Sequence, residues 1–289
     1  PNLVHLHILT NYSIFAFNFF RKRQIPIVLS EQWSGYVNGK FKLHSNFFRR
    51  SAKKIASEVQ GISTASKFLR SNMQALGIDN DYFDVVPNVV KFSSNSTISK
   101  SLDPKIKIVN ISDLVDETKN VSGLIKAFNH LLSYFPNAEL HIIGQGPDKE
   151  RLQQMSRQLS INDQVYWHGY LPHEEVLQTL SEMSFYVCSS PFETFNVAIA
   201  EALASGLPVV STKCGGPEEF IHKGNGLLIP SNDQNEMNSA LIKMAKEYQS
   251  YNTLEIRKEI IAHFNQERIA KLFDTFYRKS ISLSNNNNQ

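Results

Sequence analysis

Short apolar runs alternate with longer stretches of helical periodicity almost from one end of the chain to the other, and this alternation restricts the fold more than any other feature. Runs such as 106–111, 139–143 and 185–188 are short and mostly apolar. Strands of this kind sit inside parallel sheets, and the helical stretches between them supply the crossovers that parallel pairing needs. The pattern predicts stacked β-α units rather than a sandwich or a bundle, and the absence of a 20–50-residue repeat argues against a solenoid. At 289 residues the chain has room for two such domains.

In the first part, strands are expected at 4–8, 25–29, 61–63 and 85–86, with helices around 14–23, 47–58 and 66–76. In the second part the expected strands are 106–111, 139–143, 165–167, 185–188, 208–211 and 226–229. Helices are expected at 121–134, 149–159, 173–182, 196–205, 217–222 and 234–246. Gly206 followed by Pro208 is a helix stop and strand start. Ile256, Ile260, Phe264, Ile269, Leu272, Phe273 and Phe276 recur at helical spacing, which predicts one long amphipathic helix. The domain plan is therefore 1–92, a polar linker at 93–104, a second domain at 105–254, a helix at 255–280 crossing back to the first domain, and a disordered tail at 281–289. Open parallel sheets take ligands at the carboxyl ends of their strands, so two in tandem predict a ligand in the cleft between them.

A net charge of +3 conceals an asymmetry, because residues 1–100 hold 13 Lys and Arg against 5 Asp and Glu, while residues 101–289 hold 17 against 22. The basic residues gather at Arg21-Lys22-Arg23 and between Lys40 and Lys54, interleaved with Phe41, Phe47 and Phe48. Such a patch suits nucleic acid, an anionic membrane surface or a phosphorylated acceptor. Cys188 and Cys214 stand alone, without the spacing of a zinc site or redox pair, and are expected to be reduced thiols. The charge-free stretch 2–20 carries His5, His7, Asn11 and Asn18, too polar for a membrane span.

Two segments carry chemistry. Gly144-Gln145-Gly146 follows an apolar run and precedes a helix, but Lys149 stands where a dinucleotide fingerprint has its third Gly, so a tight corner near the ligand face is the better reading. The other segment runs from Ser189 to Val210 and holds two carboxylates, Glu193 in a turn and Glu201 inside an otherwise apolar helix. A charge there needs partners. Vicinal sugar hydroxyls would suit Glu201, and the helix-start amides of Phe195, Asn196 and Val197 would suit a phosphate. The structural alternative makes Glu193 a helix cap and pairs Glu201 with a core Lys.

Glu193-x7-Glu201, with Phe195-Asn196-Val197 after the first Glu and Ala204-Ser205-Gly206-Leu207-Pro208-Val209-Val210 after the second, resembles the signature of the family 4 retaining glycosyltransferases. Four further segments resemble that family in the same order: Val86-Pro87-Asn88-Val89, the loop from Ser112 to Asn120, Leu140 to Pro147, and Val165 to Leu171. The resemblance implies an α/β protein of GT-B fold, two Rossmann-like domains facing a cleft, with residues 1–92 a partial acceptor domain that lacks its opening strand and Gly-rich loop. It implies Lys119 on the donor diphosphate, Glu193 on the donor sugar, Glu201 on the ribose, the amides of Phe195, Asn196 and Val197 on the distal phosphate, and Leu171 at the nucleobase. Thr194, Gly144 and Ser112 fall in matching donor-site segments, and Glu31, Gln32 and Trp33 are the acceptor-side candidates.

Two positions depart from the family pattern. Asp113 stands where an Arg often accompanies the Lys, leaving one cation unless Lys213 substitutes, and Gln32 stands where a His is common. The implied activity is hexose transfer, with retention, from a UDP- or GDP-sugar to a glycan or lipid-linked acceptor in cell-surface polysaccharide or lipopolysaccharide synthesis. No metal or other cofactor is expected, and nucleic acid is not an expected partner. The implied location is cytoplasmic, peripheral on the inner face of a membrane that the basic first domain would touch. The alternatives are a sugar-nucleotide epimerase of the same fold and a non-catalytic partner that only binds the sugar nucleotide.

Overall fold

The computed structural model describes residues 1–92 and 105–286, with side chains as far as Ser284. The expected linker at 93–104 and the last three residues lie outside the described residues. The chain forms two compact units, Pro1–Val89 with Gln266–Gln289, and Val90–Asn265.

In the first unit the elements are β1 Val4–His7, α1 Asn11–Arg21, β2 Ile27–Glu31, a single turn α2 Lys40–Leu43, α3 Asn46–Glu58, β3 Gly61–Thr64, α4 Lys67–Ala75 and β4 Phe83–Val85. The strands pair in parallel in sequence order, with Val4 opposite Ile27, Val28 opposite Gly61 and Ile62 opposite Phe83. Hydroxyl caps set the helix starts: Thr10 for α1, Ser45 for α3 and Ser66 for α4. One face of the sheet, with Leu29 and Ile62, buries Phe17, Phe48, Ile55, Leu69 and Met73. The other face packs Val28 and Tyr82 against Phe276 of the C-terminal helix Gln266–Asn286. His5 ties that helix down, its Nδ1 2.8 Å from Tyr277 Oη and its Nε2 2.7 Å from Ser30 Oγ.

The second unit comprises β5 Lys107–Ile111, a single turn α5 Asp116–Lys119, α6 Val121–Leu132, β6 Glu139–Ile143, α7 Lys149–Gln158, β7 Val165–Gly169 and α8 His173–Ser181. It continues through β8 Phe185–Cys188, α9 Val197–Ala204, β9 Val209–Thr212, β10 Gly226–Ile229, α10 Gln234–Glu247 and α11 Thr253–Phe264. Its six parallel strands lie in the order β10-β9-β8-β5-β6-β7. The chain builds β5 to β7 outward in one direction, then returns to build β8 to β10 in the other. The reversal falls between β5 and β8, so the loops leaving their carboxyl ends flank the crevice where such sheets take ligands. Those loops carry Lys119 and Glu193.

Several expected elements are corrected. The single helix at 255–280 is two helices broken at Asn265, whose backbone is extended and whose amide and side chain both donate to Ile261 O. Before the break Phe264 is buried in the second unit, and after it Phe276 is buried in the first. One apolar rhythm thus serves two cores, which periodicity alone does not separate. The tail expected to be disordered from 281 is helical to Asn286. The helix expected at 217–222 is a 3₁₀ turn, Gly216–Glu219. The strand expected at 25–29 is shifted to Ile27–Glu31, because Pro26 offers no amide and pairing begins after it. That shift puts Glu31 inside the sheet.

Candidate active site

The β8 strand ends at the buried pair Ser189 and Ser190, and the chain then turns through Glu193 into α9. Backbone bonds to the loop after β9 fix the turn: the Glu193 amide donates to Cys214 O at 2.7 Å, and the Gly216 amide donates to Glu193 O at 2.9 Å. Gly216 is required here, since a Cβ on it would lie 2.2 Å from Thr194 O. Cys188 and Cys214, both free and buried, lie in these two segments.

Lys119 ends α5, after the loop that leaves β5, and its Nζ meets Glu193 Oε1 at 2.7 Å. Ser189 Oγ donates to Lys119 O at 2.7 Å, joining the two loops a second time. Burial works against the charge on Lys119, but the Glu193 carboxylate, helped by Cys188 and Asp113, outweighs it and raises the pKa above the usual lysine value. Asp113, exposed, therefore supports the Lys electrostatically instead of adding a second cation. Lys213 is exposed beyond β9, its carbonyl held by Ser231 Oγ. The turn carrying Lys119 is itself anchored: the Asp116 amide donates to Asp148 Oδ2, and Arg151 reaches both Asp116 and Asp148. Burial opposes ionisation of Asp116, but the bonds from Arg151 and Ser122 prevail and hold its pKa below the usual value.

At the start of α9, Asn196 takes φ +64° and its Oδ1 accepts from the Ile199 amide at 3.0 Å. The amides before Ile199 have no acceptor within the helix. Phe195 contributes only its backbone to this end, because its ring is buried edge-on against Phe264 at 5.2 Å and beside Phe220. Val197 is half-buried as the first helical residue. Glu201, one turn further, is buried at 8% exposure and accepts from His173 Nε2 at 2.7 Å. The expected alternative partner, a core Lys, is not the one found. The turn from β7 into α8, with Gly169 at φ +69°, places half-buried Leu171 two residues before His173.

Gly144 has φ +143°, and a Cβ there would stand 1.9 Å from Ser112 O. The glycines thus let the β6 loop press against the β5 loop, with the Ser112 amide donating to Ile143 O at 3.1 Å. Ser112 Oγ turns inward to Asn110 Oδ1 at 2.9 Å. Gly144→Ala is expected to destabilise the second unit by about 3 kcal/mol or more, combining backbone strain with the clash. Gly39→Ala, also at positive φ but with nothing within 4 Å, is expected to cost about 1 kcal/mol. Denaturant titration of both variants checks the contrast.

The acceptor-side candidates lie in the first unit. Gln32 is exposed, and Trp33 covers Gly35 and meets Tyr36 and His44 edge-on at 5.2 and 5.4 Å. Glu31 is fully buried. Its Oε1 accepts from the Leu9 amide at 2.7 Å and from Tyr36 Oη at 2.9 Å, while Oε2 has no hydrogen-bond partner. Burial dominates over these donors and over the nearby Gln32 and Trp33 amides, and pushes the carboxyl up to about 7. A raised acid pKa means the folded state holds the proton longer than the unfolded chain. Its contribution is present below pH 4.5 and is lost as pH rises from about 4.5 through 7, by about 3 kcal/mol. Glu31→Gln is expected to remove that slope, checked by chemical denaturation at several pH values.

His173, Arg151 and the Asp116–Asp148 pair were not legible as site residues. Among the described residues no group of three or more His, Cys, Asp or Glu is placed to hold a metal ion, and no helix is long and apolar enough to cross a membrane.

The second unit is thus an α/β layer in which a parallel sheet carries a half-buried charged pair at its reversal point, beside a helix start. Residues 93–262 match the family of glycosyl transferases group 1, and the chain belongs to that family. It is 32% identical to lipopolysaccharide 1,6-galactosyltransferase of Escherichia coli K12, over 49% of this chain and 37% of that protein. It is 25% identical to N-acetyl-alpha-D-glucosaminyl L-malate synthase of Bacillus anthracis, over 59% of this chain and 44% of that one, so it spans less than half the length of either relative. Alpha-monoglucosyldiacylglycerol synthase of Acholeplasma laidlawii is 24% identical over 98% of this chain and 77% of its own. Among solved structures, Anabaena Alr3699/HepE in complex with UDP and glucose superposes with a TM-score of 0.80 at 18% identity, covering 96% of this chain and 78% of that one. The fold is that of the GT-B glycosyltransferases.

Proposed function

We propose that this chain transfers a hexose from a nucleoside diphosphate sugar to a glycan or lipid-linked acceptor, with retention at the anomeric carbon. The observation that carries the reading is the Lys119–Glu193 pair at 2.7 Å, held at the sheet reversal next to the first turn of α9. A lysine there can meet the diphosphate as a point charge with three donors, and the free amides of the α9 start can hold the distal phosphate. Glu193 accepts hydroxyls of the donor sugar and opposes the positive charge that develops on its ring. The bond from anomeric carbon to phosphate oxygen breaks, the acceptor oxygen bonds to that carbon on the same face, and the acceptor proton passes to the departing phosphate. No side-chain base is needed, which accommodates Gln32, and no metal or cofactor is invoked. Complexes of Alr3699/HepE with UDP and with UDP-glucose support a nucleotide-sugar donor.

The surface of the first unit supports a lipid-linked acceptor. Residues 1–89 and 266–289 hold 15 Lys and Arg against 7 Asp and Glu. Tyr12, Phe15 and Phe19 are exposed along α1 just before Arg21-Lys22-Arg23, and the Arg23 guanidinium stacks 3.6 Å over Phe19. Aromatic and cationic side chains together suit an anionic lipid interface, which supports a membrane-surface location.

Incubation with UDP- and GDP-hexoses and a panel of glycan and lipid acceptors, read by mass spectrometry, tests the reading. Release of UDP or GDP with one hexose added to an acceptor is the expected result. Donor consumption without an acceptor product would point to an epimerase. Nucleotide binding without turnover would favour a non-catalytic partner. Co-sedimentation with phosphatidylglycerol vesicles, and not with phosphatidylcholine vesicles, is expected for the membrane part.

A further inference from the structure

We propose that His173 is a positioning residue for ribose recognition, acting through Glu201. The proposal rests on the reading of Glu201 as the acceptor for the ribose hydroxyls. Glu201 projects from the middle of α9, a helix otherwise made of Val, Ala, Ile and Leu. A glutamate has three side-chain torsions, and fixing them when a ligand arrives costs affinity. His173 removes most of that cost in advance, because its Nε2 holds Oε1 at 2.7 Å.

The two side chains differ in accessibility in the way this role requires. The Glu201 side chain is only 11% exposed, whereas that of His173 is 37% exposed and lies on the solvent side of the pair. A carboxylate offers about four acceptor positions, and His173 occupies one of them. The remainder suffice for two vicinal hydroxyls. His173 is also anchored at the start of α8, two residues after Leu171, so one short turn from β7 carries both Leu171 and the group that orients Glu201. A helix shift that moved Leu171 would move His173 with it.

The test is calorimetric titration of the chain, as wild type, His173→Ala, His173→Gln and Glu201→Gln, with UDP, GDP and their 2′-deoxy counterparts. Thermal unfolding without nucleotide is measured alongside. The wild type is expected to prefer the ribonucleotide, and His173→Ala is expected to weaken ribonucleotide binding by about tenfold while changing 2′-deoxynucleotide binding little. His173→Gln, whose side-chain amide can still donate to Oε1, is expected to restore most of the preference. An unchanged ribose preference in His173→Ala would overturn the proposal. So would tighter ribonucleotide binding in that variant, which would mean that His173 competes with the ribose. If the wild type bound neither nucleotide, or if Glu201→Gln kept the full ribose preference, the underlying reading of Glu201 would be overturned instead.

Discussion

Replacing Glu193 by glutamine is expected to lower the turnover of sugar transfer by about a thousandfold while leaving nucleotide affinity within a few-fold. The substitution preserves shape and leaves an oxygen able to accept from Lys119, now 2.7 Å from Oε1. It removes the negative charge. Charge-assisted bonds to sugar hydroxyls are about twice as strong as neutral ones, and a cationic sugar ring exists only in the transition state. Most of the loss therefore belongs in kcat, while the weakened bonds to the sugar hydroxyls raise KM for the donor by only a few-fold. Steady-state release of UDP or GDP measures both parameters. A purely structural Glu193 would show the opposite pattern, with a lowered melting temperature and near-normal turnover in the protein that remains folded.

Lys119→Ala is expected to weaken nucleoside diphosphate binding by about a hundredfold and to leave binding of the free nucleoside unchanged. The variant also leaves the largely buried Glu193 carboxylate, 12% exposed, without its cation, at a cost of about 1–3 kcal/mol in stability. Lys119→Arg tests shape against charge. A planar guanidinium keeps the charge but cannot occupy the same point, so only part of the affinity is expected to return. Titrating nucleoside, nucleoside monophosphate and nucleoside diphosphate in parallel locates the loss on the phosphates.

The fold was readable because parallel strands announce themselves locally. Val121 starts a helix and Phe185 starts a strand where the apolar pattern says they do. The break at Asn265 was not readable, because Ile260, Phe264, Ile269 and Phe276 keep one helical rhythm while serving two cores. Strand order was not readable either, and it is the strand order that brings Lys119 to Glu193 across 74 residues of sequence. Glu201 was conspicuous as a charge among alanines, so its need for a partner could be foreseen. The partner itself, His173, could not, since it stands 28 residues earlier in a helix that reads as an ordinary amphipathic crossover. The apolar run 25–29 leaves Glu31 two residues outside the expected strand, and its burial follows from the two-residue shift that Pro26 imposes.

The second unit is expected to seat a nucleoside diphosphate against Lys119 and the start of α9. Calorimetric titration of the wild-type chain with UDP and with GDP tests it most directly. One of the two is expected to bind one-to-one and saturably below about 1 mM, with the signal lost in Lys119→Ala. Failure of both nucleotides to bind at millimolar concentration, or binding that Lys119→Ala leaves unchanged, would show that Lys119 and the α9 start do not form a diphosphate site.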